Sequence, residues 1–413
     1  MNRQQSKIKL IVVMSLILVG LLSGSCLPTR DFDYRLSSIV EPYGFSIVKW
    51  EFKTILDEMK QLIFSREGKV EGDSGVVTKY FSFVERIKTL KSEIEAIHSG
   101  NEQGDLALLE AELNILDGQK AALEDVVERT IKKQIKETLA QQGIFSPIDK
   151  YIRLKVGFPP LSFKLEKPPY LLVISPRDRI ERMRTITLQP SLSLKEIEDI
   201  EARVDELGVS SLVVELGGLS TYPSFVTDDA NARFVINTAT DEWLHQYLVF
   251  TPLGFLYLLD LTGVSKNYEI ATMNETVVGM VSKEIGSIVY EKYYSWYESG
   301  AHHNQVAESG FDFNREMREI RKTVDKYLAR GEIEQAEEFM EQKRQYLASM
   351  GYYIRKLNQA YFAFHGAYAD RPAFISPIGL ELKELRSQSA SVKDFLNTVA
   401  AMTSRQELRD SIR

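Results

Sequence analysis

DEWLHQYL, at Asp241–Leu248, and NETVVGMV, at Asn274–Val281, are the two stretches of sequence that decide how this chain folds. On a helix, Asp241 and His245 lie one turn apart on the same face, and Glu242 lies beside them. The second stretch opens a strongly apolar helix about thirty residues downstream, with Glu275 at its start. We predict that these two helices point Asp241, His245 and Glu275 at a common spot.

This spacing is typical of zinc peptidases. In their His-Glu-x-x-His helix, two histidines hold the metal and the glutamate takes a proton from the attacking water. Such sites take their third ligand from a glutamate on a following helix. The pattern therefore predicts Asp241, His245 and Glu275 as metal ligands and Glu242 as the general base. Gly279, one turn after Glu275, would let the two helices approach closely.

The two stretches together resemble the gluzincin group of zinc metallopeptidases. They are especially similar to bacterial aminopeptidase-like families that carry a His-Glu-Trp-x-His helix. The resemblance covers roughly residues 170–413 and includes the segment LNQAYFAFHGAY at Leu357–Tyr368. It implies zinc as the cofactor, peptides as substrates, and an oxyanion-stabilising role for Tyr361 or His365. An aromatic tail packed on the core explains Tyr361 equally well.

One residue departs from the family pattern, because Asp241 stands where the first histidine belongs. An aspartate reaches less far than an imidazole, and an Asp–His–Glu set cancels the charge of a divalent ion. A neutralised zinc pulls less on water, and carboxylates favour harder ions such as Mg²⁺, Ca²⁺ or Mn²⁺. A changed metal, a weakened peptidase and a site without metal all stay open.

Each of these residues also has a structural interpretation. Thr238–Asp241 and Thr272–Glu275 both fit capping boxes, which would place Asp241 and Glu275 in the first turns of their helices. Glu242 would then be an exposed acid and His245 a core histidine with its hydrogen bonds satisfied. His302-His303, in a loop-like stretch, lacks the spacing of a rigid metal site.

The N-terminus predicts export. Three basic residues precede an apolar run at Leu10–Leu22, and the small residues Ser23-Gly24-Ser25 lead to Cys26, the single cysteine. This order is typical of a secretory signal, and its end resembles a bacterial lipobox, with Ser23 where leucine is usual. We predict a lipid-modified Cys26 that anchors the chain at the cell envelope. A short uncleaved signal anchor is the alternative.

The charge balance of the chain narrows the classes of partner that we expect. After residue 25 the chain carries 48 basic and 58 acidic side chains, a net charge of −10. Nucleic-acid binding requires a basic surface, so we expect no nucleic-acid partner. The membrane, through the N-terminal anchor, and a peptide or protein are the expected partners.

Hydrophobic periodicity indicates an α+β fold that is predominantly α. Apolar residues at helical spacing predict a helix at Ile47–Ile63 and a partly coiled-coil-like helical hairpin that ends at Gly143–Pro147. After Thr238 we predict helix again, with a second hairpin that runs from Met317 to Leu347 and turns at Arg330-Gly331. Short runs after residue 151, including Tyr170–Ile174 and Arg233–Ile236, predict strands of one small sheet. We divide the chain into a signal and lipobox (1–26), a helical hairpin region (27–147) and a metallopeptidase-like domain (148–413).

These features lead to two functional hypotheses. In the first, the protein is an extracytoplasmic lipoprotein of zinc-metallopeptidase ancestry that hydrolyses peptides with the help of a metal. In the second, it is an inactive pseudopeptidase that serves as a binding or scaffold protein at the cell envelope. A helical scaffold in which the motif is a coincidence is a third interpretation.

Overall fold

The computed structural model describes residues 30–46, 74–98, 104–147, 157–262, 264–297, 311–365 and 377–412. These described residues are 66% helical and form two three-stranded sheets. The predicted fold class, mainly α with a small β component, is therefore confirmed. Among the described residues, no helix is both long and apolar enough to cross a membrane.

The N-terminal part is helical. Helix α1 spans Arg30–Val40 and continues into a 3₁₀ turn at Glu41–Tyr43, and the long helices α2 and α3 span Ser74–His98 and Leu106–Gln141. The last two form the predicted hairpin. Their apolar stripes, which include Val84 and Ile131, join the same hydrophobic core as the helices around residues 240–290. The hairpin region thus shares its core with the rest of the chain.

Two small sheets follow. The first has the order β3-β2-β4, with antiparallel strands at Arg184–Leu188, Tyr170–Pro176 and Val209–Val214. The second has the order β1-β6-β5, with strands at Phe163–Leu165, Ser224–Val226 and Gly218–Leu219. The sequence predicted one sheet, because strand patterns alone do not show which strands pair.

The first sheet is covered on both faces, as the alternation of β2 requires. Leu172 and Ile174 pack in one cluster with α1 and with α4, which spans Leu194–Asp205. Val173, between them, faces the opposite way and packs against Ala360 and Phe364 of helix α10. Ser193 and Glu196 cap α4 with a reciprocal capping box.

Three helices form the centre of the molecule: α5 at Ala232–Leu248, α6 at Pro252–Leu261 and α7 at Tyr268–Tyr294. Asn231, Thr251 and Asn267 cap their N-termini, each accepting a hydrogen bond from a backbone N–H. The turn from α5 to α6 is very tight. A Cβ atom on Gly254 would overlap the backbone of Leu248.

The C-terminal part is a set of short helices. Helices α8 (Phe313–Ala329) and α9 (Ile333–Ser349) form the second predicted hairpin, which turns at Gly331 with a positive φ of 74°. The remaining helices are α10 at Gln359–His365, α11 at Ile378–Gln388, α12 at Val392–Ala400 and α13 at Arg405–Ser411. Side chains of the last three join the core of α5 and α7.

Three local predictions are wrong. Arg233–Ile236 lies in α5 and is not a strand, because Asn231 caps the helix just before it. Both capping boxes are wrong for the same reason: α5 and α7 begin at least four residues before Thr238 and Thr272. The predicted helix at Ile47–Ile63, Cys26 and His302-His303 lie outside the described residues.

The role predicted for Gly279 is also wrong, since a Cβ atom there would meet nothing within 4 Å. The close approach of α5 and α7 occurs instead at Gly286, where a Cβ atom would overlap the side-chain oxygen of Asn237. On α7, Gly279 lies one turn after Glu275. The actual contact point, Gly286, lies two turns after Gly279.

We predict opposite effects on stability for two glycine substitutions. Gly254→Ala should lower the free energy of unfolding by about 1–3 kcal/mol, because the new methyl group overlaps the backbone of Leu248. Gly279→Ala, the matched control, should raise it by about 0.5–1 kcal/mol, because helix interiors favour alanine over glycine. Urea denaturation measures both, and equal effects would contradict the described turn.

Candidate metal centre

Helices α5 and α7 bring the three predicted ligands together. His245 lies on α5 one turn after Asp241, and its Nε2 atom is 3.6 Å from Oδ2 of that residue. The same Nε2 atom is 3.7 Å from Oε2 of Glu275 on α7. Both carboxylates therefore turn one oxygen toward the same imidazole nitrogen. Their role as metal ligands stays a prediction.

The spacing of these atoms is close to what a shared ion requires. Ligands bound tetrahedrally to zinc at 2.0–2.2 Å are about 3.3–3.6 Å from one another. The two distances to His245 reach or slightly exceed this range. In the described part of the chain, no group of three or more His, Cys, Asp or Glu side chains has the full geometry of a metal site. Ion binding would thus require the carboxylates to close by a few tenths of an ångström.

The site is enclosed on one side and open on the other. The side chain of Glu275 is 6% exposed, that of His245 is 15% exposed and that of Asp241 is 29% exposed. Solvent therefore reaches the cluster past Asp241. Asp241 therefore lies on the solvent side of the cluster and Glu275 on its inner side.

Two hydroxyl groups orient the carboxylates. Tyr257 of α6 donates a hydrogen bond to Oε1 of Glu275, and Ser282 of α7 donates one to Oδ1 of Asp241 at 2.8 Å. In each case the bonded oxygen is the one that faces away from His245. Oε2 of Glu275 is buried without a hydrogen-bond partner. A buried charged oxygen without a partner is costly, so this atom fits a cation.

The imidazole of His245, unlike the two carboxylates, has no hydrogen bond to the described part of the chain that orients it. Nδ1 of His245 is buried and has no hydrogen-bond partner. Histidines that bind metals usually donate their second N–H to a carboxylate or carbonyl, which fixes the ring. Here the ring is held by packing, and it stacks on the Tyr257 ring with centroids 6.0 Å apart. The alternative of a core histidine with both nitrogens satisfied does not fit this geometry.

Glu242 is buried in the middle of α5, so the alternative of an exposed first-turn acid is wrong. Its Oε1 atom lies directly beneath Gly218 of β5, where a Cβ atom would overlap it. Burial raises the pKa of the Glu242 carboxyl well above its usual range, and the charges of Asp241 and Glu275 raise it further. A buried carboxyl group with a raised pKa is a candidate for proton transfer.

Sequence reasoning did not find Tyr257, Ser282 or Gly218. Tyr257 lies in an apolar helix where an aromatic residue suggests only core packing, and Ser282 lies two turns after Glu275. Their hydroxyl groups reach the site only because α6 and α7 fold beside α5. The doublet Gly217-Gly218 was the one sequence signal available, because glycine often marks a close approach of backbone and side chain.

The two downstream candidates lie on a different part of the fold. Tyr361 and His365 belong to α10, and their rings contact each other with centroids 4.3 Å apart. This helix packs against β2 and β4 of the first sheet, whereas the predicted metal ligands lie between α5 and α7. The packing fits the aromatic-core alternative, and the oxyanion role stays a prediction.

We predict that Glu242→Gln stabilises the metal-free protein at neutral pH. The folded-state pKa of Glu242 is raised above its ordinary value of 4.5, so between these values the folded state binds more protons than the unfolded state. Stability is therefore lost as the pH rises above 4.5, and the neutral glutamine avoids this loss. Urea denaturation in the presence of a chelator should show a gain at pH 8 that shrinks toward pH 4.

The matched control is Glu201→Gln, which changes another buried glutamate. Glu201 accepts two hydrogen bonds from the Arg355 guanidinium, at 2.8 and 2.6 Å. Its neutralisation should destabilise the protein at pH 8, the opposite sign. A loss of stability in both variants would contradict the raised pKa of Glu242.

Comparison with protein-family models, with curated proteins and with solved structures finds no match for this chain.

Proposed function

We propose that this protein is a cell-envelope lipoprotein of zinc-metallopeptidase ancestry, anchored through Cys26, whose site between α5 and α7 binds a divalent metal and hydrolyses peptide bonds. The observation that carries the proposal is the orientation of the two carboxylates. Asp241 and Glu275 each have one oxygen hydrogen-bonded by a hydroxyl group and the other turned toward Nε2 of His245.

The donor set supports a divalent ion held by His245, Glu275 and Asp241. When bound, such an ion supplies Lewis-acid chemistry that polarises a peptide carbonyl and makes water easier to deprotonate. The buried, unpartnered Oε2 atom of Glu275 gains the most from it, because a cation would compensate its lost hydration. The hydroxyl groups of Tyr257 and Ser282 keep the two carboxylates from rotating away.

Glu242 supplies the proton transfer. Its raised pKa allows it to take a proton from the attacking water and to deliver that proton to the leaving amine. The backbone of Gly218 covers this carboxyl, and Ser220 donates a hydrogen bond at 2.9 Å to the main-chain oxygen of Glu242. These contacts hold α5 under β5 and keep the base fixed next to the ligands.

The identity of the metal follows from Asp241. One imidazole and two carboxylates make a harder ligand set than two imidazoles and one carboxylate, so Mn²⁺ or Mg²⁺ competes better with zinc here. The two negative charges also neutralise the ion and weaken its effect on water. We therefore propose slower hydrolysis than a His-Glu-x-x-His site would give. Aminopeptidase activity is the kind that the resemblance implies.

A pseudopeptidase that binds a peptide or protein without cleaving it is the second candidate. The unpartnered Nδ1 atom of His245 and the distances slightly too long for a shared ion favour it. Such a protein would bind its partner at the same cluster of side chains. Metal content and hydrolysis separate the two candidates.

We predict about one divalent ion per full-length chain, measured by elemental analysis after purification in detergent. His245→Ala should abolish this metal, because it removes the central ligand. Tyr257→Phe should weaken metal affinity by about 10–100-fold, because one oxygen of Glu275 loses its hydrogen bond.

Two variants serve as controls for metal content. His98→Ala changes an exposed histidine at the end of α2, and Tyr294→Phe removes a buried tyrosine hydroxyl of α7 that bonds Gln134. Both should keep the full metal content. If His245→Ala also keeps it, the proposed site is wrong.

We also predict opposite changes of hydrolysis for two variants, assayed with fluorogenic peptides that carry a free amino terminus. Asp241→His should increase the rate, because it restores the second imidazole. Glu242→Gln should lower it by about 10²–10⁴-fold and leave the metal bound, because the general base is lost. Activity that survives Glu242→Gln would remove this residue from the mechanism. No hydrolysis in either Asp241→His or the parent chain would favour the pseudopeptidase.

A further inference from the structure

The end of helix α6, the loop after it and the first residue of α7 expose large apolar side chains to solvent. Leu261, Val264 and Tyr268 are each half to three-quarters exposed, and we call these three residues the apolar patch. They lie within eight consecutive positions of the chain. Large apolar side chains that are exposed singly are ordinary, but a group of them marks a surface that contacts a protein or a membrane.

The apolar patch lies near the first described residues of the chain. Asp33, in the first turn of α1, accepts a hydrogen bond at 2.5 Å from Arg184 at the start of β3. Two residues earlier, Arg182 forms an ion pair with Asp260 near the end of α6, at 3.8 Å. The start of α1 and the end of α6 are therefore held two residues apart, at the first residue of β3 and in the turn just before it.

A second ion pair fixes the loop that carries Val264. The Nζ atom of Lys266 is 2.9 Å from Oε1 of Glu181, in the turn between β2 and β3. The backbone N–H of Asn267 also donates to Asp260 at 2.7 Å. The loop after α6 and the end of α6 thus both contact the turn between β2 and β3. Leu261 and Val264 therefore lie on one side of the molecule.

The predicted lipid attachment site is four residues before Arg30. Four residues span at most about 14 Å even when fully extended. A lipid on Cys26 therefore keeps the membrane surface close to the beginning of α1, and through the two arginines close to the end of α6. The apolar patch is the exposed apolar surface on that side of the fold.

We propose that the apolar patch rests on the lipid bilayer that anchors the chain. The inference depends on the proposed anchoring at Cys26. Leu261 and Val264 would enter the boundary between headgroups and acyl chains, and Tyr268 would lie at the headgroup level, where tyrosine side chains concentrate.

The charge of the protein determines how this contact works. With a net charge of −10 after residue 25, the chain gains nothing from anionic lipids. The contact is apolar, so it is insensitive to salt and to the fraction of anionic lipid. Insensitivity to salt distinguishes the proposed contact from the electrostatic docking of basic proteins.

The contact would also orient the candidate site. Leu261 ends the same helix that carries Tyr257, whose hydroxyl group bonds Glu275 inside the site. The proposed lipid contact and the candidate site therefore share helix α6.

Two cysteine variants of the full-length chain test the proposal. Cys26 is the single cysteine, so once it is lipid-modified, Val264→Cys and Leu380→Cys each introduce the one free thiol. Leu380 of α11 is 71% exposed, nearly the same as Val264 at 72%, and serves as the matched control. Each thiol carries a polarity-sensitive NBD fluorophore in vesicles of phosphatidylethanolamine and phosphatidylglycerol, some of which contain brominated lipids.

We expect brominated lipids to quench the label at position 264 several-fold more than the label at position 380, at low and high salt alike. Equal, weak quenching at both positions would overturn the proposal. A label at 264 that is shielded from aqueous iodide but not reached by brominated lipid would also overturn it, because a protein surface would then cover the patch.

The same samples separate this result from the proposed function. Mass spectrometry of the N-terminal peptide reports the lipid on Cys26, and elemental analysis reports the metal. Loss of metal with strong quenching at 264 would reject the metal site and keep the membrane contact. A chain that is unmodified at Cys26 and does not float with vesicles would reject both the anchor and the contact.

Discussion

The antiparallel packing of α5 on α7 is the contact on which the rest of the molecule depends. Asn237 meets Gly286, Asp241 meets Ser282 and His245 meets Glu275, so the two helices run past each other over three turns. Between these polar contacts, Val235, Ile236, Ala239, Val277, Val278, Val281 and Ile285 are buried in one core. Burial of each larger aliphatic side chain contributes about 1.5–3 kcal/mol, which can offset the cost of enclosing polar groups in the same interface.

That interface contains an unusual concentration of acidic groups. Asp241 and Glu275 face the imidazole of His245, and Glu242, next to Asp241 in the chain, is buried like Glu275. Their mutual repulsion and lost hydration favour either protonation, as the raised pKa of Glu242 indicates, or a bound cation. Proton exchange and metal binding are therefore two responses to one electrostatic constraint. The hydroxyl groups of Tyr257 and Ser282 also fix which carboxylate oxygens face His245, and so which oxygens would contact a cation.

Helix α6 connects this interface to the outside of the molecule. It supplies Tyr257 to the candidate site, and its last residue, Leu261, belongs to the apolar patch. Because Gly254 allows the backbone of α6 to contact the end of α5, the helix cannot shift without disturbing both. The proposed lipid contact and the candidate cation site are in this way both positioned by one ten-residue helix. The proposed anchoring and the proposed chemistry thus share one structural element.

The sequence by itself determined the helical content, both hairpins, the strand at Tyr170–Ile174 and the position of Asp241, Glu242 and His245 on one helix, because these features follow from local periodicity and spacing. Only the tertiary structure decided what Glu275 faces, which glycine lets α5 approach α7, and which hydroxyl groups hold the carboxylates. Gly279 and Gly286 look alike in the sequence, and the crossing point of two helices selects between them. Tyr257 joins the site because a tight turn folds α6 back beside α5, and no local pattern encodes such a contact between distant residues.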